Sequence, residues 1–412
     1  MATVDRAEAN KRALQRILEG DPVLLDVRRA IDVVPGMTPT VVLHSGPSIA
    51  WGDISGVQRT AILNAAVYEG LASTTEDADA KLRSGEIPIE TCAAHDCVGI
   101  ATGLYTASTP VYVVENKPTG NRAFCGILEG NPPRAFVFGA MGDDVVERLK
   151  FVENVYMPVL SEALRMAGGL PLKPLFRRAL TMGDELHLRT DAGTQLFISA
   201  LAPHLLGVAR EREKEVRQVL ALLQTIPYSF LRVVTAAAKA IIDSAHGIEG
   251  SSVVTGMIQS CKDFAIRISG LGDEWFRGPS PEYKGTFFWG STADDIGWGG
   301  GESNYTETIG LGAFAQVAAF TLPFRPIEGM VERNRKMYDI TLGENQEFKV
   351  NYFDRGVPVG IDLFKVIETG TPPAVNAPVI RKDGNGLAGM GPMLHHMEVF
   401  ETAAAAFKKR YG

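Results

Sequence analysis

Near Gly142 the apolar pattern of the chain changes period, and that change limits the folds open to it. Before it, Pro22–Val34 is β-branched and apolar, interrupted by Arg28 and Arg29, and Val41–Leu43, Ile87–Ile89, Pro110–Glu115, Ala123–Leu128 and Ala135–Phe138 read as short strands. Between them, residues 1–20, Asp53–Leu71 and a segment from Thr74 to Leu82 carry apolar residues at helical spacing, with Thr74 suited to accept an orphan N–H as N-cap. After it, Asp143–Ala167, Leu170–Leu180, Gln195–Val208, Glu211–Leu223 and Tyr228–Ala245 all read as helices. Phe264–Ile268, Glu344–Tyr352 and Val357–Val366 then look strand-like, Arg325–Tyr338 reads as a helix, and an Ala-rich helix closes the chain. The expectation is an α+β (mixed α/β) multi-domain fold with a small helical middle domain. Its parts are an N-terminal α/β domain over 1–142, a helical domain over 143–226 and a C-terminal α+β domain over 227–412.

A chain of 412 residues can bury more than one core, and its net charge of −7 with no basic tract argues against nucleic acid or an anionic membrane surface as partner. The N-terminal pattern has no apolar signal region, and no uninterrupted apolar run is long enough to span a membrane. The four cysteines, Cys92, Cys97, Cys125 and Cys261, form no disulfide framework at this length, so reduced thiols and a cytoplasmic location are expected. The 43 Gly and 23 Pro fall between periodic segments and imply shaped loops rather than low complexity.

Several such loops concentrate chemistry. Thr181–Thr194, TMGDELHLRTDAGT, places Asp184, Glu185, His187, Arg189 and Asp191 between two helical patterns. His44-Ser45-Gly46-Pro47 follows a strand, where backbone N–H groups often meet a ligand; a plain turn is the other reading. In Thr91–Gly99, TCAAHDCVG, the two cysteines lack a second ligand pair at zinc spacing, so no metal is expected. His95 beside Asp96 reads instead as an acid/base or donor pair, or as a buried His bound to backbone. His246, Glu249 and Ser251 lie at a Gly-rich helix exit, close enough in sequence to converge on one ligand. Arg267 alternates with apolar neighbours on its strand and can either pair in solvent or capture a carboxylate or phosphate. Gly310 to Ala315 matches G-x-G-x-x-A without the preceding strand a dinucleotide site needs, but with a helix after it whose N–H groups can hold an anion. P-loop, G-x-S-x-G and H-E-x-x-H patterns are absent, which removes support for P-loop ATP binding, a hydrolase elbow and a zinc protease.

Read in order, DVVPGM (Asp32–Met37), LHSGP (Leu43–Pro47), CAAHDCVG, MGDELHLR (Met182–Arg189), HGIEGSSVVT (His246–Thr255), RISGLGDEWF (Arg267–Phe276), TETIGLGAFA (Thr306–Ala315) and YDITLGEN (Tyr338–Asn345) resemble the YlbE/AllG-like family. That family includes a subunit of oxamate carbamoyltransferase, and the resemblance covers nearly the whole chain. It implies carbamoyl transfer between oxalurate/oxamate and phosphate/carbamoyl phosphate in purine (allantoin) nitrogen catabolism. It also implies an oligomeric, heteromeric assembly with an FdrA-like partner subunit similar to succinyl-CoA ligase, and no cofactor.

On this reading His187, supported by Asp184 or Glu185, supplies the proton to the departing nitrogen, and His95 or His246 steadies the carbonyl oxygen. The substrate and anion contacts are His44, Ser45, Gly46, Arg189, Glu249, Ser251, Arg267, Gly310 and Gly312. Four features depart from the family pattern where substrate contacts are expected: Ala94 before His95, Cys97 after it, Arg189 ending HLR, and the Glu129–Pro133 turn. Another carbamoyl or ureido substrate is therefore open. Two other readings are a non-catalytic subunit of the complex and a hydrolase of a ureido compound.

Overall fold

The helix Ser229–Ser244 is apolar on almost every side, and of its residues only Asp243 escapes full burial. A helix apolar all round belongs in the interior. In this computed structural model, which describes residues 5–132, 134–226, 228–319, 327–350, 353–384 and 386–412, it is the central helix. It packs on the strands Pro110–Asn116 and Arg122–Gly126, on the N-terminal helix Arg6–Glu19 and on the short helix Tyr305–Thr308.

The two strands belong to a five-stranded sheet in the order Cys97–Val98, Arg122–Gly126, Pro110–Asn116, Pro22–Arg29, Leu170–Pro171. Its pairs are antiparallel except at the Cys97–Val98 edge. A second, antiparallel sheet joins Val254–Gln259, Asp263–Ile268 and Trp275–Pro279. A third is built on the hairpin of Ala374–Arg381 and Leu387–Leu394, with short strands at Glu282–Tyr283, Thr286–Phe287 and Ile296–Gly297. The largest apolar core draws on residues as distant in sequence as Ala9, Tyr112, Phe230 and Val359. This is a mixed α+β fold, as the alternating periods predict.

Local signals held where they were strongest. The N-terminal helix stops at Gly20, and Thr74 accepts the N–H of Asp77 at the start of Thr75–Ser84. Corrections fall where period was ambiguous. Ala135–Phe138 is not a strand but a 3-10 turn, Phe136–Phe138, because Gly139 at φ 80 closes it. The strand expected at Ile87–Ile89 runs over Ile89–Thr91, paired in parallel with Val42–His44. Gln195–Val208 and Glu211–Leu223 belong to one segment, Asp191–Thr225, broken by non-helical φ/ψ at Arg212. By length and composition this helix is apolar enough to cross a membrane, as a core helix of a globular protein also can be. The strand-like Val357–Val366 divides into Gly356–Ile361 and a helix, Leu363–Thr369, capped by Asp362. The second expected domain boundary includes Pro227, and the expected segments at 1–20, Arg325–Tyr338 and Glu344–Tyr352 each extend past the described residues.

Candidate functional site

Where the central helix meets the third sheet, a cavity opens between Ile100, Ala101 and Phe138 on one side and Trp298, Val379 and Met393 on the other. Its apolar walls carry a small set of polar groups: His187, Arg232, Gln259, Ser303 and Asn304. A few polar groups on apolar walls is the usual make-up of a small-molecule site. The loop Gly297, Trp298, Gly299, Gly300 and Gly301 forms one wall. Gly300 has φ +94, and a Cβ there would land on Ser45 Oγ, so only glycine fits.

His187 lies deep in this cavity and is buried. Its Nδ1 is 2.8 Å from Glu307 Oε1 and its Nε2 is 2.9 Å from Ser303 Oγ. Glu307 Oε1 also accepts the N–H groups of Ala313 and Asn376, so it can only receive, and Nδ1 carries the proton. Nε2 is then the acceptor and the Ser303 hydroxyl donates to it. Burial pushes the imidazole pKa down, but the Glu307 charge and hydrogen bond, with the Glu185 charge, outweigh it, and the net shift is upward. Serine, histidine and carboxylate thus form one line that can move a proton at the cavity wall.

Arg232 reaches the same cavity from the central helix and is 3% exposed. Among the described residues it pairs with no carboxylate. There a terminal guanidinium nitrogen makes a long 3.5 Å contact to the Gly126 carbonyl, the Cys125 thiol lies within its reach, and its Nε has no partner. Glu129, whose charge it feels, is turned to the N–H of Phe136 at 2.6 Å. Gln259 Nε2 is likewise buried without a partner among the described residues. A buried cation and a buried amide donor left open in one cavity call for a ligand with negative charge and carbonyl oxygens.

Of the residues expected at the site, His187 alone lines this cavity. Asp184 and Glu185 sit beneath it and serve the loop's backbone. Asp184 accepts the N–H of Leu186 and Gly193 at 2.9 Å each, and burial raises its pKa to about 7. Glu185 accepts the N–H of Leu188 and Arg189. Arg189 is half-buried with Asp191 within 3.5 Å. His95 is bound at both ring nitrogens, to the Pro35 carbonyl at 2.6 Å and Glu90 at 2.7 Å. His44 Nδ1 lies 2.9 Å from the Ser45 carbonyl oxygen. Ser251 donates to Asn10, and Glu249 is exposed.

The expected anion cradles are filled by the protein itself. Ser45 N–H goes to the Thr102 carbonyl and Gly46 N–H to Glu302. Gly310 N–H goes to the Glu307 carbonyl and Gly312 N–H to the Glu185 carbonyl. The G-x-G-x-x-A stretch leads into a 3-10 turn, Gly312–Ala319, so there is no α-helix N-terminus for a phosphate. Gly312 matters sterically: at φ +60, a Cβ there would land on Glu307 Oε1.

His246 and Arg267 do come together, in a separate polar cleft with Asp96, Asp243 and Trp275. Asp243 accepts from Lys239 at 2.6 Å and from Arg267 at 2.5 Å, so Arg267 is an ion-paired structural cation as well as a cleft wall. Burial and the charge of Arg267 hold the His246 pKa down to about 4. Arg232, Lys239 and Asp243 share one face of the central helix, which therefore runs from the cavity to this cleft.

Sequence reading missed Arg232, which looked like one polar residue in a core stripe, and Glu302, Ser303 and Glu307. Glu302 bridges the N–H groups of Gly46 and Gly99 at 2.8 Å each, and burial raises its pKa to about 7. The one local signal was two glutamates, Glu302 and Glu307, in a polar stretch between glycines.

Comparison with known proteins agrees with this architecture. The family described as oxamate carbamoyltransferase subunit AllG matches residues 87–303. The chain is 34% identical to oxamate carbamoyltransferase subunit AllG of Escherichia coli strain K12, over 98% of both chains. It is 37% identical to the uncharacterized protein YahG of the same organism, over 98% of this chain and 87% of that one. Among solved structures, a conserved protein of unknown function from Enterococcus faecalis V583 superposes with a TM-score of 0.95 at 35% identity, covering 99% of this chain and 98% of that one. With the ordered motifs, the full-length match and the shared fold, the chain belongs to the AllG family.

Proposed function

We propose that this chain is a subunit of an oxamate carbamoyltransferase and that the cavity around His187 and Arg232 is where the carbamoyl group moves. The observation that supports this most is the buried guanidinium of Arg232, without a carboxylate partner among the described residues, on the same cavity as a histidine held by Glu307. Oxalurate and oxamate each carry a carboxylate beside an amide, and the reaction needs a proton delivered to or taken from that amide nitrogen. Arg232 holds the carboxylate, Gln259 Nε2 donates to a carbonyl oxygen, and His187 carries the proton. The substrates are oxalurate and phosphate in one direction and oxamate and carbamoyl phosphate in the other, in cytoplasmic allantoin nitrogen catabolism. The chain works in a heteromeric complex with an FdrA-like subunit. Fully exposed Trp289, with Phe288 beside it, supports a partner surface.

The test is carbamoyl phosphate formation from oxalurate and phosphate, with the chain alone and with its partner subunits added. Phosphate-dependent formation in the intact complex is expected. Carbamoyl release without phosphate dependence would make the protein a ureido hydrolase instead. No product from a verified complex would refute the reading.

A further inference from the structure

The buried serines of this protein mostly give their hydroxyl proton to a backbone carbonyl. Ser45 donates to Ala101, Ser244 to Ile241 and Ser269 to Ala245, at 2.6 to 2.7 Å. Ser303 differs. Its Oγ donates to His187 Nε2 at 2.9 Å, and among the described residues it makes that hydrogen bond alone. The opposite ring nitrogen is held by Glu307 at 2.8 Å. Ser303 is 8% exposed, and it lines the cavity that Arg232 and Gln259 share. A hydroxyl on a histidine, the histidine on a carboxylate and an open donor nearby is the arrangement of an activated nucleophile.

We propose that Ser303 is the nucleophile of the reaction, taking the carbamoyl group onto its own oxygen before phosphate receives it. This rests on the carbamoyl-transfer reading above. In the first half, Ser303 Oγ attacks the ureido carbon of oxalurate while His187 Nε2 takes the hydroxyl proton. The bond from that carbon to the amide nitrogen breaks, the nitrogen takes the proton from His187, and oxamate leaves. Ser303 then carries a carbamate ester. In the second half, an oxygen of hydrogen phosphate attacks the same carbon and gives its proton to His187. The carbon–Oγ bond breaks, Oγ regains the proton, and carbamoyl phosphate leaves. Each half transfers one carbamoyl group and one proton, with no oxidant or cofactor consumed. Gln259 Nε2, buried and without a partner among the described residues, is the donor for the oxygen on which charge develops in both halves. Arg232 holds the oxamate carboxylate through the first.

A route through a carbamoyl-enzyme predicts something direct displacement does not. The intact complex, without phosphate, should exchange isotopically labelled oxamate into oxalurate. Acid quenching of the complex with oxalurate alone should leave one carbamoyl mass on the peptide that contains Ser303. S303A should abolish the exchange and cut phosphate-dependent turnover at least a hundredfold, with folding checked by urea denaturation. A complex that makes carbamoyl phosphate yet shows neither exchange nor the adduct transfers the group directly; Ser303 then loses this role and the carbamoyl-transfer reading stands. Absence of both exchange and turnover sinks that reading and the assignment with it. The wild-type exchange does not depend on how the variant folds.

Discussion

His187 and Glu307 stand 120 residues apart in the chain and 2.8 Å apart in the fold. The contact joins a loop between two helices of the middle region to the short helix Tyr305–Thr308 beside the central helix. It sets the tautomer of the histidine, and with it which ring nitrogen faces the cavity.

His187 acts as a base only when neutral, and its pKa is raised above the ordinary imidazole value of 6.5 by Glu307 and Glu185 against the effect of burial. The rising limb of kcat/KM with pH should therefore lie above about 6.5. E307Q should move that limb down and cut kcat by roughly a hundredfold or more, because the tautomer is no longer enforced. The stability term has a matching sign. The protonated pair stabilises the fold fully below about pH 6.5, and that contribution is lost as pH rises through the raised folded-state value. A limb that E307Q leaves in place would exclude His187 as the titrating group.

Among the described residues Arg232 is a buried cation without a carboxylate partner, so it costs stability and gains affinity. R232M should leave the protein as stable or more so in urea, since an apolar side chain of similar length relieves a desolvated charge. Its KM for oxalurate should rise roughly a hundredfold, the loss of a charged hydrogen bond worth about 2–3 kcal/mol. If KM is unchanged, the carboxylate binds elsewhere, and the cleft of Arg267 becomes the next place to look.

Glu302 has a folded-state pKa raised by burial to about 7, against an ordinary value of 4.5. Raised means that its contribution is fully present below about pH 4.5 and lost as pH climbs through about 7. The change is on the order of 3 kcal/mol, most of it lost by about pH 8. Urea denaturation between about pH 5 and 8 should show this decline in the wild type and a shallower one in E302Q. Equal slopes would mean that the two N–H groups of Gly46 and Gly99 keep Glu302 ionised throughout.

Legibility in the sequence followed the range of the interaction. Helix starts and stops could be read because a cap is local: Thr74 bonds an N–H three residues on, and Gly20 ends its helix wherever the helix packs. The strand pair Ala374–Arg381 and Leu387–Leu394 went unread, because prolines and glycines broke the alternation that marks a strand. His187 stood out as a candidate, but its partner was sought next to it, in Asp184 and Glu185. Asp184 and one oxygen of Glu185 are taken by neighbouring backbone N–H groups, which a tight loop brings within reach first.

By itself, then, the sequence determined the mixed α+β class, most helix boundaries, the family motifs and one residue of the cavity. These depend on periodicity, caps and composition, which act over a few residues. The tertiary structure alone decided which charges are satisfied and which are left open. Gly46, Gly310 and Gly312 looked like an anion's cradle until their N–H groups were seen to be taken. Arg232 looked like a flaw in a core helix, yet among the described residues no carboxylate is bonded to it and nearby Glu129 is turned to the Phe136 N–H. Whether a buried polar group is paired depends on chain segments far away in sequence, and no local pattern encodes that.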